Sequence, residues 1–207
     1  MGSTSIMDTT DLMKSPRLSA TDSTNKVSSP LDFSFKGLTI FEDAHDEDPR
    51  KTQHKIKKDK EGKYMCTAVK FNNNALTEMS NFEPVLNKLI VEPSQLLWLD
   101  LSMNDFTKID PVILNFKNLK MLYLHGNGIE DGGQVDKLSG LPDLITLTLH
   151  GNPMENERGY RHFILAKLPN LRSLDFSRVT KADRANAHTW KTMIGQKKKR
   201  RRQSKDE

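Results

Sequence analysis

One cysteine, Cys66, is all the thiol this 207-residue sequence carries. No disulfide can form within the chain, which fits a reducing compartment. Long apolar runs are also missing: nothing approaches the roughly 18 residues that cross a bilayer. The first residues, Met1 to Ile6, lack the apolar core of a secretory leader, and Ile6 stands where a myristoylation site carries Ser or Thr. A cytoplasmic protein is therefore expected. Enzyme signatures are absent as well. No Gly-rich phosphate loop, G-x-S-x-G, H-E-x-x-H or paired zinc cysteines occur, and Gly132-Gly133 reads as a turn only. The expectation is no enzyme, no cofactor and no metal. Hydrophobic residues make up only 35%, so part of the chain is expected to stay unpacked. The charge of +5 is unevenly spread. Residues 64–180 hold 11 basic against 13 acidic groups, whereas residues 181–207 hold 10 against 3.

What the sequence does have is a repeat. The pattern L-x-x-L-x-L-x-x-N-x-L appears three times in register: Leu96, Leu99, Leu101, Asn104, Phe106; then Leu119, Leu122, Leu124, Asn127, Ile129; then Leu144, Leu147, Leu149, Asn152, Met154. A weaker copy precedes them (Cys66, Val69, Phe71, Asn74, Leu76). Another follows (Leu171, Leu174, Phe176), with Val179 in the asparagine's place. Alternating apolar residues turn one face of a short strand inward. One such unit cannot bury that face alone, but stacked units share a continuous core. The asparagine amides can bond exposed backbone groups of adjacent turns and so form a ladder. Cys66, on an inward position, reads as a small buried hydrophobe. The predicted architecture is α/β: a short solenoid with parallel strands on its concave face, helices and turns on the convex side, and flanking disordered tails.

The divisions follow. Residues 1–30, rich in Ser, Thr and Asp, read as a disordered tail. Residues 31–63 form an N-terminal extension: Phe33, Phe35, Leu38 and Ile40 make either a cap strand on the first repeat or a linear motif for a partner, and a charged linker follows. Five repeats occupy 64–180. Helical spacing is present over 76–92 and 155–168. Thr180 and Asp183 look like a helix start, and Ala187, Trp190 and Ile194 give residues 181–195 the stripe of a capping helix ended by Gly195. Residues 196–207 are expected to be a disordered basic tail. Its run Lys197, Lys198, Lys199, Arg200, Arg201 and Arg202 suits a nuclear localisation signal, nucleic acid or an acidic surface such as tubulin tails. The run carries no aromatics to stack on bases, which weakens a single-strand reading.

A partner protein is expected on the concave face, at Trp98, Asp100, Met121, Tyr123, His125, Thr148 and His150. Trp98, Met121 and Tyr123 form a cluster of hot-spot residue types, either open to a partner or covered by a terminal segment such as 31–43. His125 and His150 occupy equivalent places in Leu-His-Gly-Asn stretches. Two stacked histidines could hold a metal, but their row neighbours are Ser102 and Ser177, so no third ligand stands beside them.

Several stretches carry a family resemblance: Leu31-Asp32-Phe33-Ser34-Phe35, Asp100–Asp105, Ile109-Asp110-Pro111-Val112, Leu122–Asn127, Leu147–Met154, Gly159-Tyr160-Arg161 and Val179–Arg184. Over residues 30–195 the chain resembles the leucine-rich repeat-containing protein 51 family. Tyr160–Arg184 is similar to the C-terminal cap of a wider group that includes a phosphatase regulator, the U2 snRNP A′ protein and several ciliary repeat proteins. The resemblance implies a non-enzymatic, cytoplasmic protein–protein adaptor or structural component, with a ciliary, axonemal or cytoskeletal association and a partner that is axonemal or tubulin-associated. It supplies no catalytic residues. An RNA–protein complex component using the basic tail, or a phosphatase-regulatory subunit, are the alternatives. The body is slightly acidic, so nucleic acid is not the expected partner. Nor is a membrane, and the chain is expected to be a monomer by itself.

Overall fold

The computed structural model describes residues 27–52 and 54–203, with side chains through residue 193. Each apolar–x–apolar triplet becomes a short strand. In chain order these are β1 (Leu31–Asp32), β2 (Ala68–Lys70), β3 (Trp98–Asp100), β4 (Met121–Tyr123), β5 (Thr146–Thr148), β6 (Ser173–Leu174) and β7 (Ser177–Arg178). They form one seven-stranded sheet in sequence order. All neighbours are parallel except β6 and β7. The register sets Leu31, Val69, Leu99, Leu122, Leu147 and Leu174 side by side, and all six are fully buried.

Past each strand the chain turns on an asparagine. Asn127 Oδ1 accepts from Phe106 N at 3.0 Å, while its Nδ2 donates to Leu101 O and Leu124 O at 3.1 and 2.9 Å. Asn104 and Asn152 repeat the arrangement, taking Leu76 N and Ile129 N respectively. Asn74 bonds Lys36 N, Leu38 N and Phe33 O, extending the ladder onto the N-terminal extension. On the convex side the longer connections hold helices α1 (Phe82–Leu89) and α2 (Tyr160–Lys167). The shorter ones leave room only for 3-10 turns, at Pro111–Asn115 and Gly132–Gly140. Asp110 and Asp131 start these turns by accepting from Val112 N and Gly133 N, as N-cap residues do.

Three expectations are corrected. Residues 42–63 are more than a charged linker. Phe41 and Ala44 of the 3-10 turn Phe41–His45 enter the core, and a hairpin closes where Lys58 pairs with Tyr64. The fifth repeat is incomplete. After β6 the chain reverses at Asp175 and Phe176 (φ 51° and 58°) into antiparallel β7, so Phe176 points outward and is 57% exposed. Without an asparagine at position 179, nothing can hold a further parallel turn; instead Asp175 Oδ1 accepts from Leu149 N and His150 N, the amides just past β5. Finally, the last helix, α3, runs Lys181–Gln203. Gly195 does not end it, because one helical glycine costs only about 1 kcal/mol against alanine and the Lys, Arg and Gln around it favour helix. The backbone of 197–202 is thus helical, while the side chains of the basic run lie outside the described residues. Residues 1–26 lie outside them too.

Helix α3 starts as its sequence suggests. Thr180 Oγ1 accepts from Asp183 N at 3.1 Å, and Asp183 Oδ2 from Thr180 N at 2.8 Å, the reciprocal bonds of a capping box. Arg161 on α2 grips the Asp183 carboxylate with Nε and Nη2, each at 3.1 Å. That pairing holds the Asp183 carboxyl below the usual carboxylate range. Trp190 packs edge-on to Phe163 at 5.6 Å. It lies so close to Gly159 (φ 80°) that a Cβ there would press on its indole nitrogen.

Candidate interaction surface

The outward rows of the sheet are Ala68, Trp98, Met121, Thr146 and Ser173, beside Lys70, Asp100, Tyr123 and Thr148. The register therefore brings Trp98 beside Met121, and the Trp98 and Tyr123 rings meet edge to face at 5.6 Å. This cluster is not open. Trp98 is 8% exposed, Met121 and Tyr123 are equally buried, and Val27 packs against them with Ala68. The segment that reaches the face is the chain just ahead of β1, pinned where Ser28 N and Oγ bond Thr67. It is not residues 31–43, which stack at the sheet's end. There Phe33 and Leu38 are core, whereas Phe35, 63% exposed, lies beneath the Arg50 guanidinium, and Ile40 is exposed. Burial leaves the Trp98 Nε1 and Asn72 Oδ1 without partners among the described residues.

Asp100 is buried, and Ser102 donates to it through N at 3.1 Å and Oγ at 2.6 Å. Burial raises its carboxyl above the usual value, against the pull of those bonds and of Lys70. Cys66 is likewise buried, which pushes its thiol up to about 11. Such a thiol is a poor nucleophile.

The half-buried end of the face is built by the two histidines. Their rings stack at 4.7 Å and within 7° of parallel. His125 Nδ1 shares a hydrogen bond with Thr148 Oγ1 at 2.8 Å, and His150 Nδ1 lies 3.3 Å from Asp175 Oδ1. The row neighbour is thus Asp175, not Ser177, because the chain turns before Ser177 could reach the row. Among the described residues no cluster of three or more His, Cys, Asp or Glu side chains could hold a metal. Tyr160 donates its hydroxyl to the other Asp175 oxygen at 3.0 Å, and so α2 fixes the carboxylate behind the pair.

Burial, followed by the neighbouring His150, pushes His125 down to about 4, with Asp175 opposing. An unfolded histidine titrates near 6.5. Below that pH the unfolded chain therefore binds a proton that folded His125 refuses, so this contribution to stability is complete above pH 6.5 and is lost as the pH falls toward 4. The denaturant midpoint is expected to be lower at pH 5 than at pH 7.5. His125→Gln, which keeps a polar partner for Thr148 but cannot titrate, should flatten that dependence; an unchanged slope would contradict the assignment.

Sequence reasoning missed Phe176 and Met103. Phe176 lies over Tyr123, His125 and His150 with ring centroids 5.5–5.6 Å away. Met103 is 51% exposed, and its sulfur occupies the space a Cβ on Gly126 would need. Both have left-handed backbones, φ 58° and 53°, a conformation that costs bulky residues roughly 1–2 kcal/mol. The legible signal was Val179 in the asparagine's place: Asp175-Phe176-Ser177 aligns with Asp100-Leu101-Ser102, and the chain reverses at Asp175-Phe176, in a two-residue turn that normally takes Asn-Gly, before position 179 is reached.

The stack of parallel strands on one face, 3-10 turns and helices on the other, and an asparagine ladder between them define a leucine-rich-repeat solenoid, and residues 64–203 match that family. The chain belongs to the leucine-rich-repeat family. It is similar to leucine-rich repeat-containing protein 51 of Macaca mulatta, 48% identical over 83% of this chain and 90% of that protein. The same-named protein of Homo sapiens is 48% identical over 79% of this chain and 85% of its own length. Among solved structures, the Drosophila melanogaster SNF/U2A' complex contains a chain of the same fold, with TM-score 0.51 and 20% identity, covering 66% of this chain and 86% of that one.

Proposed function

We propose that this chain is a non-catalytic adaptor that holds another protein at the open end of its concave face, around Phe176, Met103 and the histidine pair, within a ciliary or other cytoskeletal assembly. The observation that carries the reading is Phe176. A large aromatic ring is kept more than half exposed at a backbone position that disfavours it. Strain retained at an exposed residue points to a use for that residue, and exposed aromatics are the side chains that anchor interfaces. The buried Trp98, Met121 and Tyr123 then support the site from beneath. The ciliary setting and cytoplasmic location rest on the family resemblance.

Phe176→Gly relieves the turn while removing the ring, so stability should stay within about 1 kcal/mol of the parent. Combined with Met103→Ser, it should reduce co-purification of axonemal proteins from ciliated-cell extract by about tenfold or more, the loss of one hot spot. Undiminished recovery of the same proteins with the double variant would refute docking at this end.

A further inference from the structure

Between Lys51 and Lys63 the chain gathers six lysines and His54 against only two carboxylates, Asp59 and Glu61. The stretch ends in an ordered hairpin. Met65 N donates to Lys57 O at 2.8 Å, Asp59 N to Lys63 O at 2.9 Å, and Gly62 N to Asp59 O at 3.3 Å. Asp59 Oδ1 closes the turn by accepting from Glu61 N and Lys63 N at 2.9 and 2.8 Å. Tyr64 ties the hairpin to the solenoid, donating to Leu89 O at 2.8 Å and accepting from Val91 N at 3.1 Å.

The two carboxylates of the stretch leave most of these lysines unpaired: Asp59 is engaged in the turn, and Glu61 pairs with Lys63 alone, at 3.8 Å. In the acidic stretch just upstream three carboxylates are engaged elsewhere: Glu47 pairs with Lys36, Asp43 bonds the Thr39 and Ile40 amides, and Glu42 takes the Asn81 amide, while Asp46 and Asp48 are exposed and form no ion pair with these lysines among the described residues. Lys51, Lys55, Lys57, Lys58 and Lys60 are exposed and make no ion pair among the described residues. Beside them Met65 is 55% exposed, so apolar surface adjoins the charge.

We propose that the Lys55–Met65 segment, with its Lys57–Met65 hairpin, is a docking surface for an acidic, extended polypeptide segment. It directly precedes β2, on the opposite half of the sheet order from β6 and Phe176. Charge of one sign on a fixed turn draws in and holds a flexible chain of the opposite sign. The composition favours a peptide over nucleic acid. Residues 51–65 contain no arginine for two-pronged phosphate or guanine contacts. Their only aromatic, Tyr64, has its face occupied by Lys58 Nζ at 4.3 Å from the ring centre, which leaves no platform for a base.

The test uses the full chain and a fluorescent peptide of alternating Glu and Gly, followed by anisotropy at low salt. Substituting Lys55, Lys57, Lys58 and Lys60 with glutamine should weaken binding about tenfold or more, as expected for four lost charge contacts. The parent's affinity should fall steeply as salt is added. Replacing Lys197–Arg202 with glutamine should change affinity by about twofold at most. The melting temperature of the hairpin variant should stay within about 4 °C of the parent's, since the substituted side chains are exposed and only Lys58 gives up a contact, the one over the Tyr64 ring. The proposal is overturned if the parent does not bind the peptide, if the hairpin variant binds it as the parent does, or if only the 197–202 variant loses it. A single-stranded RNA that binds more tightly than the peptide, and is released by the hairpin substitutions, would also overturn it.

Discussion

Replacing Asn127 with alanine is expected to destabilise the fold by roughly 3–5 kcal/mol, although the residue contributes little apolar area. The carboxamide is buried and satisfies three backbone groups at once: it accepts from Phe106 N and donates to Leu101 O and Leu124 O. Alanine strands all three where water cannot replace the lost partner, and each buried orphan costs about 1–3 kcal/mol. Asn127→Asp should rescue little, because a carboxylate can still accept from Phe106 but cannot donate to either carbonyl. Asn118 is the control. Its Nδ2 bonds Ser94 O at 2.8 Å at the surface, so alanine there should cost about 0.5 kcal/mol or less. Denaturant midpoints of the three variants test the ladder; equal losses at 118 and 127 would show that it contributes nothing special.

Phe71→Ala should have an effect of the same size, about 4 kcal/mol, for an entirely apolar reason. Phe71 stacks on Phe33 at 5.4 Å, meets Phe41 edge-on at 5.0 Å and approaches Phe82 at 6.3 Å. All four rings are fully or almost fully buried. The ring is therefore the joint between the N-terminal extension, the first repeat and α1. Removing it opens a large cavity and breaks several aromatic pairs, each worth about 0.5–1.5 kcal/mol beyond area burial. For a chain of this size the melting temperature should drop by about 10–15 °C. Protection of the Phe33 amide, which donates to Lys70 O at 2.8 Å, should be lost earlier than that of Leu122 in hydrogen exchange. Equal loss at both ends would mean that the joint is not local.

The two variants probe parts of the molecule that differed in how openly the sequence displayed them. Period and register were legible because every repeat needs the same inward leucines and the same amide: Leu99, Leu122 and Leu147 fall into one row as spaced. Phe41 was harder to place. It lies in an acidic stretch with no repeat to index it, and only the rings of Phe71 and Phe82 explain its burial. The concave face misled for a related reason. Alternation says which side of a strand a residue occupies, but not what lies over that side, so the Trp98 cluster read either as open to a partner or as covered by a terminal segment, and it is Val27, ahead of 31–43, that packs on it. Phe176 was read inward because alternation was carried past the point where the chain reverses. Turn conformation is set by φ at two residues, and a hydrophobic pattern cannot encode it.

The reversal at Asp175–Phe176 has one more effect. Stacked-strand molecules are open-ended by nature: any bare terminal strand is a template on which another copy can grow. Here β7 covers one terminus with two antiparallel residues, and at the other Arg50 N occupies the carbonyl of Asp32 at 2.7 Å. Both termini are thereby blunted against fibre growth, and the number of rungs is limited by the chain itself.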